Sequence, residues 1–227
     1  MAVTRISESG RIRIERYIED YIDSGKIAGC SMIVWRGGDE LYTTFKGVQD
    51  LETRRPIARD TIFRVYSMTK PVASVALMML FDRGRFDLDD PVERFLPAFS
   101  GMRIYDPGGF HTPAAGRITI RQLLNHTSGL ILPAFSEHPL RETYVSQGVN
   151  GSRSEGTLAK VIDKLGELPL LFEPGTRWEY SMATDAVGRL VEVIDGRTFD
   201  AFLQDELLGP LGMVDTQFYL PRDKIPR

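Results

Sequence analysis

The sequence predicts an α/β layer followed by a mainly helical domain, and three observations carry that expectation. Residues 9–24 set Ile14, Tyr17, Ile18, Tyr21 and Ile22 on one apolar stripe at helical spacing, and Gly25 stops the run. Two strand-like runs, Cys30 to Trp35 and Leu41 to Phe45, flank the turn residues Gly37-Gly38-Asp39, which reads as a β-hairpin. Beyond Ser67 the chain is rich in helical patterns and loops, and no further strand-rich segment follows. Two strands do not make a stable sheet by themselves, so this layer calls for strands from elsewhere.

Length and composition narrow the class. A chain of 227 residues can bury a sizeable core in one or two domains, and 42% hydrophobic with 26% charged residues is ordinary for globular protein. The formal net charge is −3 with both signs interspersed, which favours neither nucleic acid nor an anionic membrane surface as partner. No apolar run approaches membrane-spanning length, and Met1 to Glu8 lacks the apolar centre of a secretory signal, so a cytoplasmic location is the expectation. Cys30 is the one cysteine, cannot form an internal disulfide, and in a strand-like run reads as a buried rather than a reactive thiol. No ligand cluster implies a metal or other cofactor.

The later elements follow from their punctuation. Val72 to Phe81 is apolar almost all round, as expected of a helix buried in a core; Pro71 suits its first turn and Gly84 its end. Asp90-Pro91 reads as a helix start, and Thr119 to His126 as a short helix ending near Gly129. Ser100 to Arg117 and Pro133 to Gly156 read as long irregular loops of the kind that rim functional sites. Thr157 to Leu165 is helical, Ser181 caps a helix from Met182 to Ile194 closed by Gly196, and Thr198 caps another through Leu207. The expected division is an N-terminal helix and hairpin over 1–60, a mostly helical domain over 61–208, and a linker over 209–227, whose end is polar and proline-bounded.

The chemistry centres on Ser67-Met68-Thr69-Lys70, where the apolar helix begins. Residues three apart share a helix face, so the Lys70 amine lies one turn from the Ser67 hydroxyl. A serine is a poor nucleophile until a neighbour takes its proton, and a lysine can do so only when neutral, a form that burial at a helix start favours. The same start offers backbone N–H groups to an oxyanion. By chance alone this spacing is expected roughly 0.3 times in such a composition, so the tetrapeptide also admits a capping serine beside a solvated lysine. Tyr180, just before a helix start, could aim its hydroxyl into a cleft or simply pack.

Five pieces in order give the chain its resemblance: Ser67-Met68-Thr69-Lys70; Leu123-Leu124-Asn125-His126-Thr127-Ser128-Gly129-Leu130; Phe172-Glu173-Pro174-Gly175-Thr176; Tyr180-Ser181-Met182; and Pro210-Leu211-Gly212-Met213 with Asp215-Thr216. The chain resembles the serine β-lactamase and penicillin-binding-protein superfamily, and most of all its family VIII carboxylesterase branch. The resemblance implies a β-lactamase/DD-peptidase-like fold, an antiparallel sheet flanked by helices plus a helical domain. It implies that Ser67 is the acylated nucleophile, Lys70 its proton-accepting partner, and Tyr180 a proton relay to the leaving group. His126 matches a structural position, whereas His111 and His138 match nothing.

Two departures bear on function. Lactamases carry Asn at the third position of the tyrosine motif; Met182 stands there, which favours ester over lactam substrates and makes Met182 and Ser181 the expected substrate-binding residues. The family's three further strands, terminal helix, third motif and second oxyanion N–H have no counterpart, so a C-terminal fragment of the same protein is the expected partner completing the sheet. The resulting expectation is a serine carboxylesterase cleaving short-chain acyl esters through an acyl-enzyme, without metal or cofactor. The alternatives are a β-lactamase or transesterase of the same superfamily and a non-catalytic binding or assembly member.

Overall fold

The computed structural model describes residues 5–109 and 111–227. The first part of the Met1 to Glu8 reading, and Phe110 within the loop expected over Ser100 to Arg117, lie outside the described residues. The chain forms two compact units, one of residues up to Arg64 together with Leu220–Arg227, the other Val65–Tyr219.

The first unit is a helix and a hairpin. Ser7 accepts a hydrogen bond from the Gly10 amide at 3.1 Å and so caps α1 (Glu8–Asp23). Strands β1 (Gly29–Arg36) and β2 (Asp39–Gly47) pair antiparallel from Gly29↔Gly47 to Arg36↔Asp39, with a bulge at Val34/Trp35. Gly37 and Gly38 at φ 60° and 90° close them in a two-residue loop whose left-handed backbone suits glycine. Cys30 pairs with Lys46 and is half-buried, not enclosed as expected, because this layer is thin. Ile18, Thr44 and Ile57 are the fully buried side chains among its described residues, while Ile33 and Trp35, on one face of β1, are exposed. The C-terminal residues join this unit: the Gln49 amide donates to the Pro226 carbonyl and Arg227 donates to the Asp60 carbonyl.

The second unit is helical. A 3-10 turn, Tyr66–Met68, leads into α2 (Thr69–Asp82). The helix is not apolar-buried all round: Ala73, Ala76, Leu77 and Leu80 line its core face, while Val75 on the opposite side is 46% exposed. Helix α3 (Ile120–Leu124) begins with a full capping box between Thr119 and Gln122. Then come α4 (Leu140–Ser146), α5 (Leu158–Gly166), α6 (Ala183–Asp195) and α7 (Phe199–Leu203), the last running into a π-helical turn over Gln204–Leu208. Helix α6 is the hub, packing against α2, α3, α5 and α7.

Several local expectations change. Asp90-Pro91 starts only a 3-10 turn, Val92–Arg94, since Pro91 is extended (ψ 133°) and bridges to Thr119. The first long loop contains a two-residue ladder, β3 (Arg103–Ile104) with β4 (Thr112–Pro113). The second contains α4, whose Tyr144 is fully buried and donates its hydroxyl to the Pro169 carbonyl at 3.0 Å. At α7 the Glu192 carboxylate accepts the first helical amide, that of Phe199 at 3.1 Å, in place of a Thr198 side-chain cap. Among the described residues no helix is long and apolar enough to cross a membrane.

Candidate active site

The second unit brings Ser67, Lys70 and Tyr180 together. Ser67 sits in the 3-10 turn and Lys70 in the first turn of α2, so local geometry alone puts the Lys70 Nζ 3.5 Å from the Ser67 Oγ. The residue before the nucleophile, Tyr66, has φ 42°, a left-handed conformation that costs a bulky side chain energy. Strain beside a nucleophile is a feature that sequence pattern does not signal. Ser67 is exposed and Lys70 is half-buried, short of the enclosure expected of it.

Tyr180 is delivered from more than a hundred residues away by a laced segment. The Gly175 amide donates to the Thr127 carbonyl at 2.7 Å, the Glu179 amide to the His126 carbonyl at 2.9 Å, and the Met182 amide to the Ile131 carbonyl at 3.3 Å. Upstream, the Glu173 carboxylate accepts the Ala115 amide at 2.9 Å. Gly129 has φ 85°, and a Cβ there would strike the Phe172 carbonyl, so only glycine fits where the two segments cross. The quoted sequence motifs therefore act largely as backbone joinery around one tyrosine.

That joinery aims the Tyr180 hydroxyl at Ser67, with 2.5 Å between the two oxygens. The Lys70 Nζ lies 4.4 Å from the Tyr180 ring centroid. His126 stacks at 5.2 Å, Phe135 meets the ring edge-on at 5.9 Å, and Trp178 lies 6.4 Å away. Burial pushes the Tyr180 hydroxyl up, but hydrogen bonds from Lys70 and Ser67 and the Lys70 charge together outweigh it, leaving the phenol below its ordinary range. His126, at φ 59°, bonds the Ser181 Oγ through Nδ1 at 3.1 Å. Burial, reinforced by the Lys70 charge, holds its imidazole below the ordinary value.

The other candidates are placed differently. Met182 and Ser181, expected to bind substrate, are 1% and 2% exposed. Met182 fills the core, and the Ser181 hydroxyl is committed to His126 and the Ala183 amide. Neither side chain is open to a ligand, because the helix that starts there turns both inward. His111 and His138 flank Tyr105, with ring centroids 5.5 and 5.1 Å away. Phe135 and Trp178, which sequence reasoning passed over, form part of the tyrosine's box; Trp178 lies two residues before Tyr180, a spacing that could have marked it. Among the described residues, no group of three or more His, Cys, Asp or Glu side chains is arranged to hold a metal ion.

Ser67 and Lys70, where α2 begins, thus meet Tyr180, just ahead of α6. The beta-lactamase family profile matches residues 14–227, so the chain belongs to the beta-lactamase family. Esterase EstB of Burkholderia gladioli is 34% identical over 208 residues, 91% of this chain and 51% of EstB. The structure of EstCE1, described as a hydrolase with promiscuous acyltransferase activity, aligns with TM-score 0.77 at 32% identity, covering 89% of this chain and 51% of that one. Simvastatin synthase (LovD) from Aspergillus terreus aligns with TM-score 0.76 at 30% identity, covering 96% and 55%. These neighbours give the β-lactamase/DD-peptidase fold. The chain spans about half the length of the curated relatives it matches.

Proposed function

We propose that this protein is a serine carboxylesterase acting on short-chain acyl esters through an acyl-enzyme on Ser67. The observation that carries the reading is the 2.5 Å approach of the Tyr180 and Ser67 oxygens with the Lys70 Nζ 3.5 Å from the nucleophile. The Ser67 Oγ attacks the ester carbonyl carbon while its proton passes to Tyr180 in its phenolate form, which the neighbouring Lys70 favours. The carbonyl electron pair moves to the oxyanion, supported on one side by the Ser67 N–H. Collapse breaks the bond to the alkoxy oxygen, which leaves with the proton from Tyr180. Water then attacks the acyl-enzyme by the same route in reverse, and the acid departs.

A second reading shares the acyl-enzyme and replaces water by an alcohol. The description of EstCE1 as a hydrolase with promiscuous acyltransferase activity favours it, and the exposed Ser67 leaves room for a bulky acceptor. Tyr66 and Met68, on either side of Ser67, are 73% and 70% exposed, an unusual state for large apolar side chains beside a nucleophile. This supports the proposal that the far wall of the site and the second oxyanion N–H come from protein outside these residues, as a C-terminal fragment would supply.

The test is an active-site phosphonate followed by peptide mass spectrometry. One label is expected, on Ser67, and none on Ser67→Ala. Labelling at another serine, or equal labelling of the variant, would overturn the assignment. Competition between water and an added alcohol then separates hydrolysis from transfer. A short p-nitrophenyl ester is expected to exceed a chromogenic cephalosporin in kcat/KM; the reverse would favour a lactamase.

A further inference from the structure

Two large aromatic side chains beside Tyr180 are open to solvent. Phe135 is 73% and Trp178 64% exposed, although both lie within ring-contact distance of the tyrosine, at 5.9 and 6.4 Å between centroids. Neither is loosely held. Phe135 ends the 3-10 turn Pro133–Phe135, between buried Pro133 and buried Ser136, and its amide donates to the Leu132 carbonyl at 3.0 Å. Trp178 belongs to the laced segment, directly before the Glu179 amide that donates to the His126 carbonyl, and its ring meets His126 edge-on at 6.3 Å. Exposed apolar rings on a fixed backbone make a prepared contact surface, because covering them requires little further ordering.

Reaction geometry says which part of an ester reaches them. In the proposed acylation the carbonyl carbon joins the Ser67 Oγ, and the Tyr180 oxygen returns a proton to the leaving alkoxide. The alkoxy oxygen must therefore come within hydrogen-bond reach of the phenol, whose oxygen already lies 2.5 Å from the Ser67 Oγ. The group borne on that alkoxy oxygen starts at the tyrosine hydroxyl and extends over what borders the tyrosine. The carbonyl oxygen instead turns to the Ser67 amide, and the acyl group hangs from the carbonyl carbon, tied to neither. Of the rings bordering Tyr180, His126 is half-buried and bonded to Ser181, which leaves Phe135 and Trp178 as the open ones. Their faces are apolar, and rings about 4.5–7 Å apart gain beyond simple burial. A flat ring on the alcohol suits them better than a charged or polyhydroxylated group.

We infer that Phe135 and Trp178 form the alcohol subsite of the Ser67 site, and that it takes esters of aromatic alcohols of the phenyl or benzyl type. The same subsite receives an aromatic alcohol as acceptor when an alcohol replaces water. This deepens the hydrolase reading and rests on it for which half of the ester is held; the binding of an aromatic alcohol by the two rings stands independently.

The first test needs no turnover. The chain has two tryptophans, so 5-fluorotryptophan labelling of the 227-residue protein gives 19F signals for Trp35 and Trp178, assigned by loss in Trp178→Phe. Benzyl alcohol is expected to shift the Trp178 signal saturably and to leave Trp35, on β1 and 59% exposed, unmoved. Ethanol at the same concentration is expected to move neither. Equal shifts at both tryptophans, or none at Trp178, overturn the inference. The second test assigns the half of the ester. With the acetyl group fixed, the kcat/KM ratio of benzyl to ethyl acetate is expected to fall about fivefold in Phe135→Ala and in Trp178→Leu. With the ethyl group fixed, the ratio of ethyl phenylacetate to ethyl acetate is expected to stay constant. A uniform loss for every ester means that the rings only hold Tyr180, and a change confined to the acyl series puts the acyl group on them; either overturns the inference. If the wild type neither turns over esters nor takes a label at Ser67, the hydrolase reading fails, and the 19F titration still decides whether the two rings take an aromatic alcohol.

Discussion

Tyr180 shows how a single side chain depends on its setting. Its hydroxyl meets Ser67 at 2.5 Å only because a ring box of His126, Phe135 and Trp178 fixes it. Tyr180→Phe keeps that packing and removes the one atom, so kcat/KM is expected to drop by about 10²–10⁴ with little change in melting temperature. A comparable loss of stability would mean that the hydroxyl is structural. His126 makes a pH prediction. Its imidazole is held below the ordinary value, so on acidification the unfolded chain takes up a proton before the folded one does. Stability is therefore full above about pH 6.5 and declines as pH falls from there toward the folded value. The expected observation is a fall in melting temperature between about pH 7 and 5 that is smaller in His126→Gln, the carboxylates being common to both proteins.

Two elements carry most of the site's rigidity. The first is the crossing at Gly129, where the backbone is left-handed and a Cβ would meet the Phe172 carbonyl. Gly129→Ala is expected to destabilise by more than about 1 kcal/mol in urea unfolding, and to impair the site further than that figure suggests, since the laced segment sets where Tyr180 points. The second is the α2–α6 contact. Leu77 is fully buried on the face of α2 that joins the common core, and Leu77→Ala is expected to cost about 2–5 kcal/mol by leaving a cavity. Near the end of α6, Arg197 bridges Asp195, Asp205 and Glu206. Arg197, Asp195 and Glu206 are half-buried and Asp205 is exposed, so physiological salt is expected to weaken the Asp205 pair most.

Taken whole, the chain distributes its stability unevenly. The second unit has a continuous core drawn from α2 to α7 and the turn after it, whereas among the described residues of the first unit three side chains are fully buried. On the proposal that further protein completes the site, the 227-residue chain alone is expected to turn over esters about 10²–10³-fold slower than the completed protein, the cost of one missing oxyanion donor. Adding the complementary portion is expected to restore the rate and raise the melting temperature. A monodisperse 227-residue protein with full, Ser67-dependent turnover would show that the chain closes its own site.

Much of this was written locally. The i, i+3 spacing of Ser67 and Lys70, the Thr119 capping box, the Gly37-Gly38 turn and the stripe of α1 each follow from a few neighbouring residues, because they depend on backbone geometry repeated every turn. Helix α4 was hidden because its loop-like Ser, Gly and Asn surround a short apolar set that declares itself only when Leu140 and Tyr144 find a core. The burial of Met182 was hidden for the converse reason: its place in the motif fixes its position on the chain, and the turn into α6 fixes which way it faces. By itself the sequence determined which residues could do the chemistry. The tertiary structure alone decided that Tyr180, rather than Lys70, lies nearest the Ser67 oxygen, and that the Lys70 amine lies against the tyrosine ring. Those relations cross more than a hundred residues, and no local pattern encodes a distance between helix ends that only packing creates.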